Sequence, residues 1–236
     1  MSSLRLVKTC QDEIQNVAPG ARWREALYQY LRHPDRYHDA IIHTSEEGFT
    51  TVYDGYPKST VHLLILPDQR IKTPQQLDRS GEFGTSFLRR VHKYAGWLIG
   101  ELHKQEHLRE LVFKIGIHAV PSMEPFHVHV ISTDMRSNRI KHKKHWNSFT
   151  TPFFVQLTQV EDILEHDGNL HSILSRESHL RDDLLCSACG RNFGSRFTKL
   201  MRHVTICSQR GKLAVKRKAE SAEGADTQGK HRRLCG

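Results

Sequence analysis

Cys186-x2-Cys189 followed by His203-x3-Cys207 constrains this chain more than any other stretch of it. Two cysteines three positions apart make a turn that carries two thiolates. A histidine and a cysteine at i and i+4 share one helix face, so four soft or borderline ligands can close a tetrahedron around zinc. The spacer is one residue longer than in the usual finger and the fourth ligand is Cys where His is common, and neither change harms ligation. Phe193 and Leu200 between the ligand pairs supply the small apolar plug such a unit needs. A closed four-ligand set leaves no position for a substrate, so the expected zinc is structural and no catalytic metal is required. The competing reading makes Cys207 a bystander at a frayed helix end. Arg191, Arg196, Lys199 and Arg202 give the unit a basic surface. Arg196 and Lys199 are the candidate nucleic-acid contacts, against the plainer reading of a solvated small module.

The remaining composition narrows the class. Of the formal +9, just over half lies beyond residue 207, where eight Lys and Arg face three Asp and Glu. That balance favours polyanionic partners without identifying one. No run approaches eighteen apolar residues and MSSLRLVKTCQDE has no apolar signal segment, so the expectation is a soluble intracellular protein with no membrane partner. Five cysteines, three of them beside His203, read as metal ligation in a reducing compartment.

Along the chain, residues 1–20 lack lasting periodicity and read as a mobile arm. Trp23, Ala26, Leu27, Tyr30 and Leu31 recur at helical spacing until Pro34. FTTVYDGYPKSTVHLLILP reads as two strands around a turn. Leu88, Val91, Ala95, Leu98 and Leu102 predict a helix with one buried stripe. LVFKIGIH, FHVHVIS and TPFFVQL are further strands. Strands interrupted by helices predict an α+β domain over 21–157, followed by a polar connector at 158–183, the Cys/His unit at 184–207 and a disordered basic tail at 208–236.

PFHVHVIS, residues 125–132, sends His127 and His129 to one face of a strand and Phe126, Val128 and Val130 to the other. Taken alone the pattern fits a metal site, a satisfied core pair or chance among 17 histidines. His62 in a second strand and His118 at the end of a third shift the balance toward nucleophilic or acid–base chemistry.

DGYPKSTVHLLILP, IGIHAVPSMEPFHVHVIS and KHKKHWNSF, together with the C-terminal finger, resemble the histidine triad (HIT) superfamily, and specifically its aprataxin branch. The resemblance spans roughly residues 22–207. It implies an antiparallel sheet with flanking helices plus a small zinc finger. It also implies hydrolysis of AMP from 5′-adenylated DNA ends, the products of abortive ligation, through a covalent AMP–histidine. DNA is then the partner, AMP the product and the nucleus the compartment. KRK at 216–218 with KHRR at 230–233 resembles a two-part import signal.

Carried over residue by residue, the resemblance makes His127 the nucleophile, with His129 at the third triad position and His118 and His62 beside the site. Lys144 would neutralise the transferring phosphate. Asp54, Ser122 and Lys58 would bind substrate, Asp54 at the ribose, and Lys58 with Lys141 and Lys143 would hold the DNA backbone. Trp23, which periodicity groups with the core, would wedge against an exposed base pair. Pro125 stands where the first triad histidine belongs and cannot donate a hydrogen bond. Orientation of His127 must then come from elsewhere. The alternatives are a HIT hydrolase of small nucleotides and a non-enzymatic finger on an inert HIT scaffold.

Overall fold

The computed structural model describes residue 4, residues 7–10, residue 12 and residues 20–207. The basic tail and its import-like runs lie outside them. The chain divides into two compact units, one ending at Asp182 and the other beginning at Asp183.

The first unit is built on an antiparallel six-stranded sheet of β1 (Ile41–Thr44), β2 (Thr50–Tyr53), β3 (His62–Leu66), β4 (Phe113–His118), β5 (Val128–Ser132) and β6 (Phe154–Gln156). The strand order is β1-β2-β3-β5-β4-β6. HLLIL and VHVIS are buried along their whole length because they occupy the middle and both faces are covered. Leu63, Ile65, Val128 and Val130 point to the main core, where helix α2 (Thr85–His103) lays down Leu88, Val91, Ala95, Leu98 and Leu102. Burial of each such side chain contributes about 1.5–3 kcal/mol. The opposite face carries Leu64 and Leu66, covered by Leu27, Tyr30, Tyr37 and Ala40.

Four segments depart from the sequence reading. The expected N-terminal helix is two short pieces, a 3-10 turn at Gly20–Glu25 and α1 (Tyr28–Arg32), and Trp23 is exposed. The basic stretch KKHWNSFT forms α3 (Lys143–Thr150), whose Trp146, Asn147 and Phe149 turn inward at helical spacing. Asn147 Nδ2 donates to the carbonyls of Leu180 and Asp182, at 3.3 and 2.7 Å, and ties α3 to the 3-10 segment His171–Arg181. The polar stretch expected as a connector is part of the domain: α4 (Leu157–Asp167) places Leu157, Val160 and Leu164 in the main core, joined by Leu170, Ile173 and Leu180. Three apolar residues at i, i+3 and i+7 suffice for a buried stripe even where the average composition is polar. Of the residues read as an arm, Leu4 and Val7 are buried, and the Val7 amide donates to Gln105 Oε1 at 2.8 Å.

The second unit holds a short hairpin, bridged between Leu185 and Asn192, and helix α5 over 197–207. The Leu184 amide donates to the Gly194 carbonyl and the Phe193 amide to the Leu184 carbonyl, each at 2.8 Å. Gly190 closes the turn at φ 72°, a conformation that side chains disfavour. Leu184, Phe193 and Leu200 are buried, as the plug requires. No helix among the described residues is long and apolar enough to cross a membrane.

Candidate active site

Register gathers the histidines. In the β3–β5 pair Leu64 faces His129 and His62 faces Ile131, and in the β4–β5 pair Gly116 faces His129. Facing residues in an antiparallel pair point to the same side, so His62, His118, His127 and His129 all emerge on the face opposite α2. Gly116 lets β6 pack closely on β4 beside them: a Cβ there would lie 2.3 Å from the Val155 carbonyl oxygen and 2.6 Å from the Phe154 ring. Phe149 of α3 closes the cluster, with its ring centroid 5.1, 4.7 and 5.3 Å from those of His62, His118 and His129.

The tautomers follow from the partners. His127 Nδ1 lies 2.9 Å from the carbonyl oxygen of Pro125. A carbonyl only accepts, so Nδ1 carries the proton and the Nε2 lone pair is left available. Proline at the first triad position therefore still orients the ring, through its main-chain oxygen. The Lys58 amide donates to His62 Nδ1 at 3.3 Å, which places the His62 proton on Nε2. That Nε2 faces His129 Nδ1 at 2.9 Å and donates to it, so the His129 proton lies on its own Nε2. His129 Nε2 and His118 Nε2 are both buried without a hydrogen-bond partner among the described residues. Unpaired buried polar atoms are costly unless something supplies the missing bond.

Burial pushes all four imidazoles below their ordinary pKa, His62 to about 4 and His118 and His129 well below the usual range, with neighbouring histidines and lysines adding to the effect on those three. For His127 the Pro125 carbonyl and Asp54 oppose the burial. The cluster is neutral at physiological pH. A neutral His127 is a competent nucleophile, and neutral His118 and His129 are hydrogen-bond donors with no spare proton.

Beside the cluster lies a cavity of about 500 Å³ lined by apolar Ala26, Leu27, Leu64 and Met123 and by polar Asp54, Tyr56, Lys58, Arg139, Lys141 and His145, with Trp23, Tyr30 and Gly55 completing it. Asp54 serves both the turn and the site. Its Oδ1 accepts the Tyr56 amide at 2.7 Å, and its Oδ2 stands 3.4 Å from His62 Nδ1. Burial works against its charge, yet the Lys58 ammonium and the Tyr56 amide hold the carboxyl below its ordinary range. The loop before β3 is pinned by Asp134, whose carboxylate accepts from Ser59 Oγ and Ser132 Oγ at 2.7 and 2.6 Å. This anchoring fixes the Lys58 amide on His62.

Not every expected residue joins the site. Lys144 is exposed and lines a separate groove with Lys143, Glu177, Leu180 and Arg181, because it sits roughly 100° around α3 from the cavity-lining His145. Ser122 is exposed in the turn between β4 and β5, while its neighbour Met123 lines the cavity. Trp23, about half exposed, stands among the cavity residues and not in the core. Residues missed from the sequence include Tyr56, Arg139, His145 and Lys114. Lys114 Nζ donates to the Phe149 carbonyl, and burial lowers its pKa to about 8.

Among the described residues two groups invite metal. Cys186, Cys189, His203 and Cys207 bring their donor atoms within 4.8 Å of one another, a spacing that suits tetrahedral zinc. Asp54, His62 and His129 also meet, but His62 Nε2 and His129 Nδ1 already share a proton where an ion would need both lone pairs. In the finger, Arg196 and Lys199 are exposed on the outer surface.

A sheet that presents clustered histidines beside a nucleotide-sized cavity, joined to a C2HC finger, defines a HIT-type domain with a zinc-binding appendage. Residues 26–145 match the family described as "Scavenger mRNA decapping enzyme C-term binding", and residues 150–210 match the "C2HE / C2H2 / C2HC zinc-binding finger" family. The chain is 32% identical over 214 residues to the aprataxin-like protein of Saccharomyces cerevisiae, covering 78% of this chain and 95% of that protein. It is 36% identical over 146 residues to aprataxin of Danio rerio, covering 62% of this chain but only 43% of that longer protein. Among solved structures, the crystal structure of aprataxin ortholog Hnt3 in complex with DNA matches with a TM-score of 0.60 and 29% identity, over 78% of this chain and 93% of that one. The chain belongs to the aprataxin family.

Proposed function

We propose that the protein removes AMP from 5′-adenylated DNA ends through a covalent AMP–histidine at His127. The observation that carries this reading is the 2.9 Å contact between His127 Nδ1 and the Pro125 carbonyl, which leaves Nε2 as a neutral nucleophile within a buried cluster. Nε2 attacks the AMP phosphorus. A P–N bond forms as the pyrophosphate P–O bond breaks, and the DNA leaves with its 5′-phosphate. Water then cleaves the P–N bond, which releases AMP and restores His127.

The unpartnered Nε2–H of His129 and the His118 ring supply donors toward the phosphate oxygens, where charge develops in the transition state. Asp54 suits the ribose hydroxyls, and the apolar wall of Ala26, Leu27, Leu64 and Met123 suits a flat base. Ser122, exposed in the turn beside the cavity-lining Met123, is assigned to a phosphate oxygen. Exposed Trp23 at the cavity supports a stacking role against a terminal base pair, worth roughly 1–3 kcal/mol. Lys58 and Lys141 on the cavity wall, Lys143 and Lys144 in the adjacent groove, and Arg196 and Lys199 of the finger are assigned to the DNA backbone. The similarity to Hnt3, whose crystal structure was solved in complex with DNA, supports that assignment. Zinc in the Cys186, Cys189, His203 and Cys207 site shapes the finger. A nuclear location accords with DNA as substrate.

The test offers a nicked duplex carrying a 5′-adenylate and measures AMP release. Wild type is expected to turn over, His127→Ala to lose roughly 10⁴-fold or more, and Trp23→Ala to weaken DNA-end binding roughly tenfold while sparing a small adenylated substrate. No release by wild type refutes the reading. Equal turnover of DNA and small adenylates moves it to a small-nucleotide hydrolase.

A further inference from the structure

We infer that His145 is a further substrate-contacting residue whose Nε2–H donates to a phosphate oxygen of the bound substrate, and this rests on the nucleotide-hydrolase reading above. The geometry is that of a preset donor. His145 lines the cavity together with Asp54, Lys58, Arg139 and Lys141. Its Nδ1 accepts the backbone amide of Lys141 at 3.2 Å, so in the neutral ring the proton must reside on Nε2. The ring is held by a tilted contact with His142, with centroids 3.6 Å apart and 34° between the planes, and by the start of α3, where the His145 amide donates to the His142 carbonyl at 3.1 Å. Burial, Lys58 and His142 bring its pKa down to about 4 against a main-chain hydrogen bond at Arg139, so the ring is neutral and a bound phosphate would compete with that carbonyl for the N–H.

The neighbours decide the ligand chemistry. Lys58, Arg139 and Lys141 surround His145 with positive charge on the cavity wall, and Asp54 is the single carboxylate among the lining residues. An N–H donor set among three cations matches an anionic oxygen better than a base edge or a hydroxyl. Such a bond to a charged acceptor is among the stronger kinds. Two phosphates qualify: that of AMP and the 5′-phosphate of the DNA end.

Calorimetric binding of AMP, adenosine, and nicked duplexes bearing a 5′-phosphate or a 5′-hydroxyl distinguishes them, using the full chain and the variants His145→Phe and His145→Gln. Phe keeps a ring on His142 without the donor, and Gln restores an N–H. The expected result is a loss of about 10- to 100-fold for His145→Phe with AMP or with the 5′-phosphate nick, partial rescue by Gln, and no change with adenosine or the 5′-hydroxyl nick. The ligand that loses affinity identifies which phosphate is held. Unchanged affinity for both phosphate ligands overturns the inference, as does an equal loss with adenosine. Failure of wild type to bind AMP at all overturns the nucleotide reading itself, which is a separate outcome.

Discussion

The finger and the histidine cluster use the same side-chain chemistry to opposite ends. In the finger four donors lie within 4.8 Å of one another, so a single tetrahedral ion would saturate the set and serve to hold the fold. In the cluster four imidazoles are also packed together, yet two ring nitrogens, on His118 and His129, have no partner, and His127 keeps a free lone pair. Closure produces structure, and leaving valences open produces a site. The contrast extends to how each is assembled, because the finger draws its ligands from 22 consecutive residues and the cluster from strands as far apart as His62 and His129.

Removing zinc should produce the largest effect and strike one side of this comparison only. Structural zinc contributes on the order of 10 kcal/mol of metal-linked folding free energy. Chelation from the full chain is therefore expected to abolish amide-exchange protection across 184–207 while β3 and β5 stay protected. Unchanged protection in the finger would mean that the Cys/His set does not depend on metal.

Acid should strike the other side. Each cluster histidine has a folded pKa below the ordinary 6.5, so the unfolded chain binds more protons between the two values and stability rises with pH across that window. On lowering the pH from about 6.5 to about 4, His62 alone removes up to about 3 kcal/mol. Below that, protonation of Asp54 acts in the same direction. Denaturant midpoints of the first unit are expected to fall steadily between pH 7 and pH 4.5, and a flat profile contradicts a neutral buried cluster.

Gly116→Ala probes the cluster more gently. The new methyl meets the Val155 carbonyl and the Phe154 ring at the β4–β6 seam, for a cost of about 2 kcal/mol and a fall in Tm of roughly 4–8 °C. A variant as stable as wild type would show that β6 does not press against the site.

These two regions were not equally legible. The finger is local, and its ligand spacing, apolar plug and basic surface could all be read directly. Alternation in PFHVHVIS also sorted His127 and His129 onto one face, and the five-residue stripe of α2 was plain. What brings His62 and His118 beside them is strand register, which no single stretch displays. Helix α3 was hidden because KHKKHWNSF is polar on average and reveals its periodicity only through Trp146, Asn147 and Phe149. With α3 unseen, Lys144 was expected at the phosphate and His145 was passed over. Pro125 was misjudged for a different reason: a sequence advertises side chains, whereas the contribution here comes from a carbonyl that every residue possesses.

The most direct test of the central claim is to quench turnover of a 5′-adenylated nick early and map the AMP adduct by mass spectrometry. The account predicts a single adenylated peptide, with the modification on His127. An adduct on His118, His129 or a lysine, or AMP release at full rate with no adduct in a His127→Ala chain, would contradict it.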